Sequence, residues 1–298
     1  MQGVKRYNRF MISKYTYNGI DWIDLQSPTK EEVAMLVEQY DILPMVAEEF
    51  ITETVRSKVD VYENLIYLVL HFPVSRHNRN ENTEQEIDFV VGKNFLITIH
   101  YELINPLHEF FKKFEVNSLL KKKEREDHAG FLVYHISKEL YRNVTKDLDT
   151  INPELKEIEL GIFEGKERDT VKIISDVNRK ILNFKQAMRF HYETLKSFES
   201  AGKRFFGQEF AFYLESITGE YSKIKNALDS HKELVDDWKY RDRELTAIQK
   251  LIEIYSNIIC QLQVRDGKKI LIKLNPQKQL FKRIVGGNGK YGDYSKVK

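Results

Sequence analysis

The residues best equipped for chemistry in this chain are a glycine run, a set of histidines and a few adjacent acids. Gly287-Asn288-Gly289-Lys290-Tyr291-Gly292 formally matches the glycine pattern that cradles a dinucleotide pyrophosphate. That pattern works only with a strand before it, a helix after it and a second strand carrying an acid beyond. The chain ends six residues later, so the run is expected to be a flexible tail. The eight histidines show no zinc-protease spacing, and no Gly-x-Ser-x-Gly nucleophile turn occurs. His100 and His135 read as core or interface residues. Glu48 and Glu49, taken alone, read as solvated charges on a helix. With no recognisable nucleophile or acid–base pair, no enzyme is expected.

The elements that must position these residues change character along the chain. The first third reads as α/β. Asp21-Trp22-Ile23-Asp24-Leu25 predicts a short strand. Ser27 is placed to cap a helix, with Pro28 at its first position and Glu31 and Glu32 early, where acids favour the positive helix end. Val33, Leu36, Val37 and Tyr40 give that helix one apolar face. A second helix is expected after Pro44. Leu65 to Leu70 is a run typical of a buried strand, and Phe89 to Ile99 divides around Gly92-Lys93-Asn94 into a β-hairpin.

From about Pro106 the pattern turns helical. Apolar residues recur at spacings of three and four from Tyr134 to Ile162, again from Ile174 to Phe198 with His191 as the polar member, and again from Phe210 to Trp238, interrupted by His231. Phe163-Glu164-Gly165-Lys166 reads as the turn between the first two helices, and Ser200-Ala201-Gly202-Lys203 as the break before the third. The third, from about Gln208 to Gln263, would be about 80 Å long if continuous. Such seams fit left-handed coiled-coil packing against partners; an ordinary intramolecular bundle fits them about as well. The length of the last helix implies a stalk that packs against copies of itself or against the preceding helical hairpin. The fold class expected is α+β. A mixed-sheet α/β domain spans 1–105, a helical hairpin and long stalk helix span 106–263, and a basic, glycine-rich tail spans 264–298.

Composition bounds the rest. At 298 residues the chain can bury a substantial core, and 42% hydrophobic with 31% charged residues fits a folded protein with many exposed helical faces. A net charge of +2 exerts no strong pull on nucleic acid or anionic lipid. The basic tail has few aromatics among its lysines and reads as solvated. A single cysteine, Cys260, rules out an intrachain disulfide framework or a zinc ribbon and is compatible with a reducing cytosol. Met1 to Phe10 has no apolar stretch behind its basic residues, so no secretory signal is read. A membrane helix needs roughly 18 or more nearly uninterrupted apolar residues. Leu65 to Val74 and Phe89 to Ile99 are both too short, so no transmembrane helix is expected.

Several motifs, in order, resemble one family. Trp22-Ile23-Asp24-Leu25 with Pro28 and Glu31-Glu32 looks like the opening motif of the CorA magnesium transporters. Leu43-Pro44-Met45-Val46-Ala47-Glu48-Glu49 resembles that family's His-Pro-Leu-x-x-Glu-Asp element, with Leu for His and Glu for Asp. Arg56-Ser57-Lys58-Val59 and Tyr62 through Leu70 match its next segment, and Gly92 through His100 is close to its hairpin. Asn152-Pro153-Glu154-Leu155 and His231-Lys232-Glu233-Leu234-Val235 continue the likeness into the helices. The motifs stop at Asp237. Charged residues such as Lys239, Arg241, Asp242 and Arg243 stand where the family enters the membrane, and its Gly-Met-Asn selectivity motif does not occur.

The resemblance implies the cytoplasmic, magnesium-sensing part of a CorA-type divalent metal ion transport protein, not transport-competent alone, assembled as a homopentamer. It implies a regulatory Mg2+ site between protomers, with Glu48 and Glu49 on one chain and Glu215 the nearest acid on the neighbour's stalk. Partners would be copies of itself or full-length transporter subunits, with no nucleic acid and no small-molecule substrate. The location implied is cytoplasmic, for a family whose place is the membrane. The alternative is a natural pore-less paralogue acting as an oligomeric scaffold or regulatory subunit. The change from matched stalk to unmatched tail is what a shifted reading frame or truncated gene would produce, and a paralogue could look the same.

Overall fold

The computed structural model describes residues 12–73, 84–102, 104–119, 128–164 and 167–265. The basic residues before Phe10, the turn at Gly165-Lys166, and the tail with its glycine run lie outside the described residues. The described chain opens with a hairpin of β1 (Ile12–Tyr17) and β2 (Ile20–Gln26). Its turn is Asn18-Gly19, with φ of 51 and 79, the sequence and backbone sign that the right-handed twist of a two-residue hairpin demands. β2 runs parallel to β6 (Phe95–His100), and every other pairing is antiparallel. With β3 (Lys58–Val61), β4 (Ile66–Pro73) and β5 (Glu84–Val91), the sheet order is β1-β2-β6-β5-β4-β3. All eight residues of β4 are buried. Both faces of the sheet are covered there, so an uninterrupted apolar run suits it better than an alternating one. At the β5–β6 turn a Cβ on Gly92 would run into the Phe95 ring, so glycine lets that ring fold back.

One face packs on α1 (Lys30–Tyr40), α2 (Pro44–Ala47) and a 3-10 helix, Glu48–Ile51; Leu25, Leu36, Val46, Phe50, Tyr67, Val90 and Ile97 share that core. On the other face Trp22 stacks on Phe111 of α3 (Asn105–Leu119) with ring centroids 3.9 Å apart. Phe72 there meets Tyr141 of α4 (Gly130–Asp149) and His191 of α7 (His191–Phe206). The cap of α1 differs from the expected one. Thr29, not Ser27, forms a capping box with Glu32, whereas Ser27 takes a positive φ and its hydroxyl donates to the Tyr101 carbonyl. Pro28 therefore precedes the helix.

The long seams are divided more finely than expected. The first breaks at Thr150-Ile151, before α5 (Asn152–Glu164), because Pro153 has no N–H to donate to the carbonyl four residues back and its ring crowds that carbonyl, so the helix cannot run through it. The second breaks at Met188–Phe190, between α6 (Glu167–Ala187) and α7. The expected break at Ser200–Lys203 lies inside α7; the chain turns instead at Gly207, with φ of 102. A short 3-10 turn, Gln208–Phe210, then leads into α8, Ala211–Arg265, of 55 residues.

The chain divides into two compact units. The first holds residues to Glu154 and Asp176–Leu234: the sheet, its covering helices and the start of α8, with Phe210, Leu214, Ile217, Tyr221, Ile224 and Leu228 all buried. Over this span the seam is satisfied within one chain. The second holds Leu155–Ser175 and the chain from Val235 on, where Ile158, Ile174 and Val235 are buried and Leu251, Ile254 and Tyr255 are exposed. No helix among the described residues is long and apolar enough to cross a membrane.

Candidate functional site

Leu43 is extended, and Pro44 opens α2 at a position where its missing N–H costs nothing. Val46, Ala47 and Phe50 are drawn into the core, which turns the intervening Glu48 outward and leaves Glu49 half-buried. Glu49 Oε2 accepts from Lys58 Nζ at 2.5 Å, and the same ammonium reaches Asp60 at 2.8 Å. Burial works to lower the Lys58 pKa, but the hydrogen bonds and charges of Asp60 and Glu49 outweigh it and hold the ammonium above its ordinary range. Glu215, near the start of α8, is exposed and accepts from Lys203 Nζ at 3.1 Å; Lys203 also lies 3.9 Å from the buried Glu199. Among the described residues of one chain no group of three or more His, Cys, Asp or Glu could hold a metal ion, so Glu48, Glu49 and Glu215 are not gathered into a ligand set within a protomer.

Behind Glu49 lies a cluster that the sequence reading missed. Glu86 and Asp88 alternate on β5 and face the same side as Tyr67 and His71 of β4, across the pairings His71–Glu86 and Val69–Asp88. Glu86 Oε2 accepts the Thr54 backbone N–H at 2.6 Å and lies 3.2 Å from His71 Nε2. Asp88 Oδ2 accepts from the Tyr67 hydroxyl at 2.8 Å. The only signal was two acids at alternate positions of an apolar strand, Glu86-Ile87-Asp88-Phe89.

β4 runs four residues past its pairing with β3, from Leu70 to Pro73, leaving the His71 N–H and carbonyl on a free edge. Side chains fill it: the N–H donates to Ser57 Oγ at 3.1 Å, and the carbonyl accepts from His191 Nε2 at 2.7 Å. His191 Nδ1 in turn accepts from the Tyr141 hydroxyl at 2.8 Å. Elsewhere His100 Nε2 lies 3.2 Å from Asp24 Oδ2 and its Nδ1 2.6 Å from the Glu102 carbonyl. Both nitrogens meet acceptors, which suits an imidazolium. Burial opposes the charge, yet Asp24 outweighs it and lifts the His100 pKa above the ordinary histidine value.

This architecture is shared with proteins of known structure. The soluble domain of CorA from Methanocaldococcus jannaschii superposes with a TM-score of 0.61 over 74% of this chain and 86% of that one, at 20% identity. The complete CorA magnesium transporter of the same organism gives 0.66 over 91% of each chain, at 18% identity. The fold is therefore that of a CorA soluble domain. In sequence, the cobalt/magnesium transport protein CorA of Thermotoga maritima is 20% identical over 215 residues, 72% of this chain. The chain spans about 60% of that relative's length. The family model for "CorA-like Mg2+ transporter protein" matches residues 17–248, running on past Asp237, where the recognisable motifs stop. The chain belongs to that family, whose members are ion transporters and not enzymes.

Proposed function

We propose that this chain is the cytoplasmic, cation-sensing part of a divalent metal ion transport protein, and that it works as an assembly of copies of itself, five by resemblance. The observation that carries the reading is the coincidence of the family match over residues 17–248 with the fold of a CorA soluble domain. No described helix suits a bilayer, so the role assigned to these residues is sensing rather than conduction. The sensed ion is Mg2+, bound between protomers by Glu48 and Glu49 of one chain and Glu215 of the next. Magnesium prefers hard oxygen ligands and keeps several waters, so two or three carboxylates serve it. In the metal-free chain Lys58 and Lys203 neutralise Glu49 and Glu215, and the arriving cation displaces them.

The test is thermal unfolding against magnesium concentration. A ligand that binds only the folded assembly raises the melting temperature by mass action. Replacing Glu48 and Glu49 together by Gln is expected to abolish the magnesium increment while leaving the metal-free melting temperature close to that of the wild type. An undiminished increment in the double variant would remove these acids from the site.

A further inference from the structure

We propose that Glu86 and Asp88 form a buried proton-binding site, in which one proton shared between Glu86 Oε1 and Asp88 Oδ1 latches the segment after the 3-10 helix onto the sheet. Both oxygens are buried, and neither meets a donor, although the second oxygen of each carboxyl is well partnered. The two side chains are 2% exposed or less. An ionised carboxylate only accepts, so two ionised side chains at alternate positions on one face of β5 leave both oxygens unsatisfied at a cost that buried groups rarely bear. One proton repairs both, since the carboxyl that carries it donates to the other.

The surroundings favour keeping that proton. From the 3-10 helix and the loop behind it come Glu49 and Glu53, from β5 itself Glu84, and from the end of β6 the Tyr101 phenol. Among the described residues, the cations bonded to this cluster or to its acidic neighbour Glu49 are His71, which meets the opposite oxygen of Glu86, and Lys58, already shared by Glu49 and Asp60. α4 and α7 pack on the other face of the sheet, where Phe72 rather than His71 points. Burial, then the charge of Glu86 and a hydrogen bond to it, push the Asp88 pKa well above the carboxylate range.

The latch follows from the remaining contacts. Glu86 takes the Thr54 N–H, and the His71 ring takes the Thr54 carbonyl at 3.1 Å, so both backbone groups of that residue hang on this cluster. The unfolded chain releases the Asp88 proton near an ordinary carboxyl pKa of about 4, whereas the folded chain keeps it, so the folded state binds more protons and stability falls as pH rises through the folded pKa.

Infrared spectroscopy of the full chain tests this directly. At neutral pH the folded protein is expected to show a protonated-carboxyl C=O band that disappears at alkaline pH, together with faster hydrogen exchange at the Thr54 amide. In Asp88→Asn the amide donates to Glu86 and accepts from Tyr67 without needing a proton. That variant should lack the band, keep Thr54 protected at alkaline pH, and lose one proton's worth of the pH slope in its unfolding free energy. The proposal is overturned if the band is absent from wild type at neutral pH, if it survives in Asp88→Asn, or if magnesium chloride removes it and so shows a cation in the proton's place. Should Asp88→Asn fail to fold, the wild-type titration of band and amide decides alone.

Discussion

His191 is fully buried, donates through Nε2 to the His71 carbonyl and accepts at Nδ1 from Tyr141, so its single proton is fixed on Nε2. Burial, only partly opposed by the bond to that carbonyl, drives its pKa down to about 3. The unfolded chain takes up the second proton near pH 6.5 and the folded chain does not, so stability is lost as pH falls from about 6.5 towards 3. His191→Gln, whose amide can serve both partners, is expected to flatten this acid-side slope by one proton in urea unfolding series; an unchanged slope would clear His191 of that role. Tyr141→Phe leaves Nδ1 without its donor and should cost about 1–3 kcal/mol at neutral pH. His100 acts in the opposite sense, contributing fully below about pH 6.5 and less as pH rises through its elevated folded pKa. That His100 would be buried was readable from a strand pattern. The state of each ring was not, because the partners come from β2, β4, α4 and a loop remote in sequence.

At the scale of elements, what could be read depended on how completely tertiary burial follows local pattern. β4 and the β5–β6 hairpin were legible because doubly covered strands are written as unbroken apolar runs around a turn. β3 was missed because Lys58 and Asp60 alternate with Val59 and Val61, the polar guise of an edge strand. β1 was missed although Asn18-Gly19 announces a hairpin, since Lys14 and Ser13 dilute its apolar pattern. The break before His191 is invisible to periodicity, because Phe184, Met188, His191 and Leu195 stay buried in phase across the turn. The acids behind Glu49 left only a faint trace, since a sequence does not show which carboxylates burial will pair. Gly207 marks the true end of α7, and its φ of 102 is open to glycine at little cost. Gly207→Ala should therefore destabilise the fold by about 1–3 kcal/mol in chemical denaturation, with no change in far-ultraviolet helicity below the transition. A neutral result would show that the α7–α8 turn relaxes freely.

For the whole molecule, the family was legible from ordered motifs, none decisive alone, while the assembly was not, because most of the third seam is filled within one chain. Beyond Val235 the balance shifts. Ala247, Leu251, Ile254 and Tyr255 recur at helical spacing on α8 and are exposed, the last three by 54%, 53% and 65%. On the proposal that the protein self-associates, this stripe is the surface for it, and sedimentation over a wide concentration range should show reversible association that Leu251→Glu with Ile254→Glu abolishes. A wild type that stays monomeric at high concentration defeats this reading. The single parallel pairing of the sheet has a further consequence, for how the chain is made. Asp24 of β2 and Thr98 of β6 are bonded neighbours 74 residues apart in sequence. On a ribosome adding about 5–20 residues per second, the β1–β2 hairpin therefore waits roughly 4–15 s for its partner strand. During that interval the edge of β2 that will receive β6 stands bare, so the nascent chain is most open to mispairing, and to capture by chaperones, before Phe95–His100 has emerged.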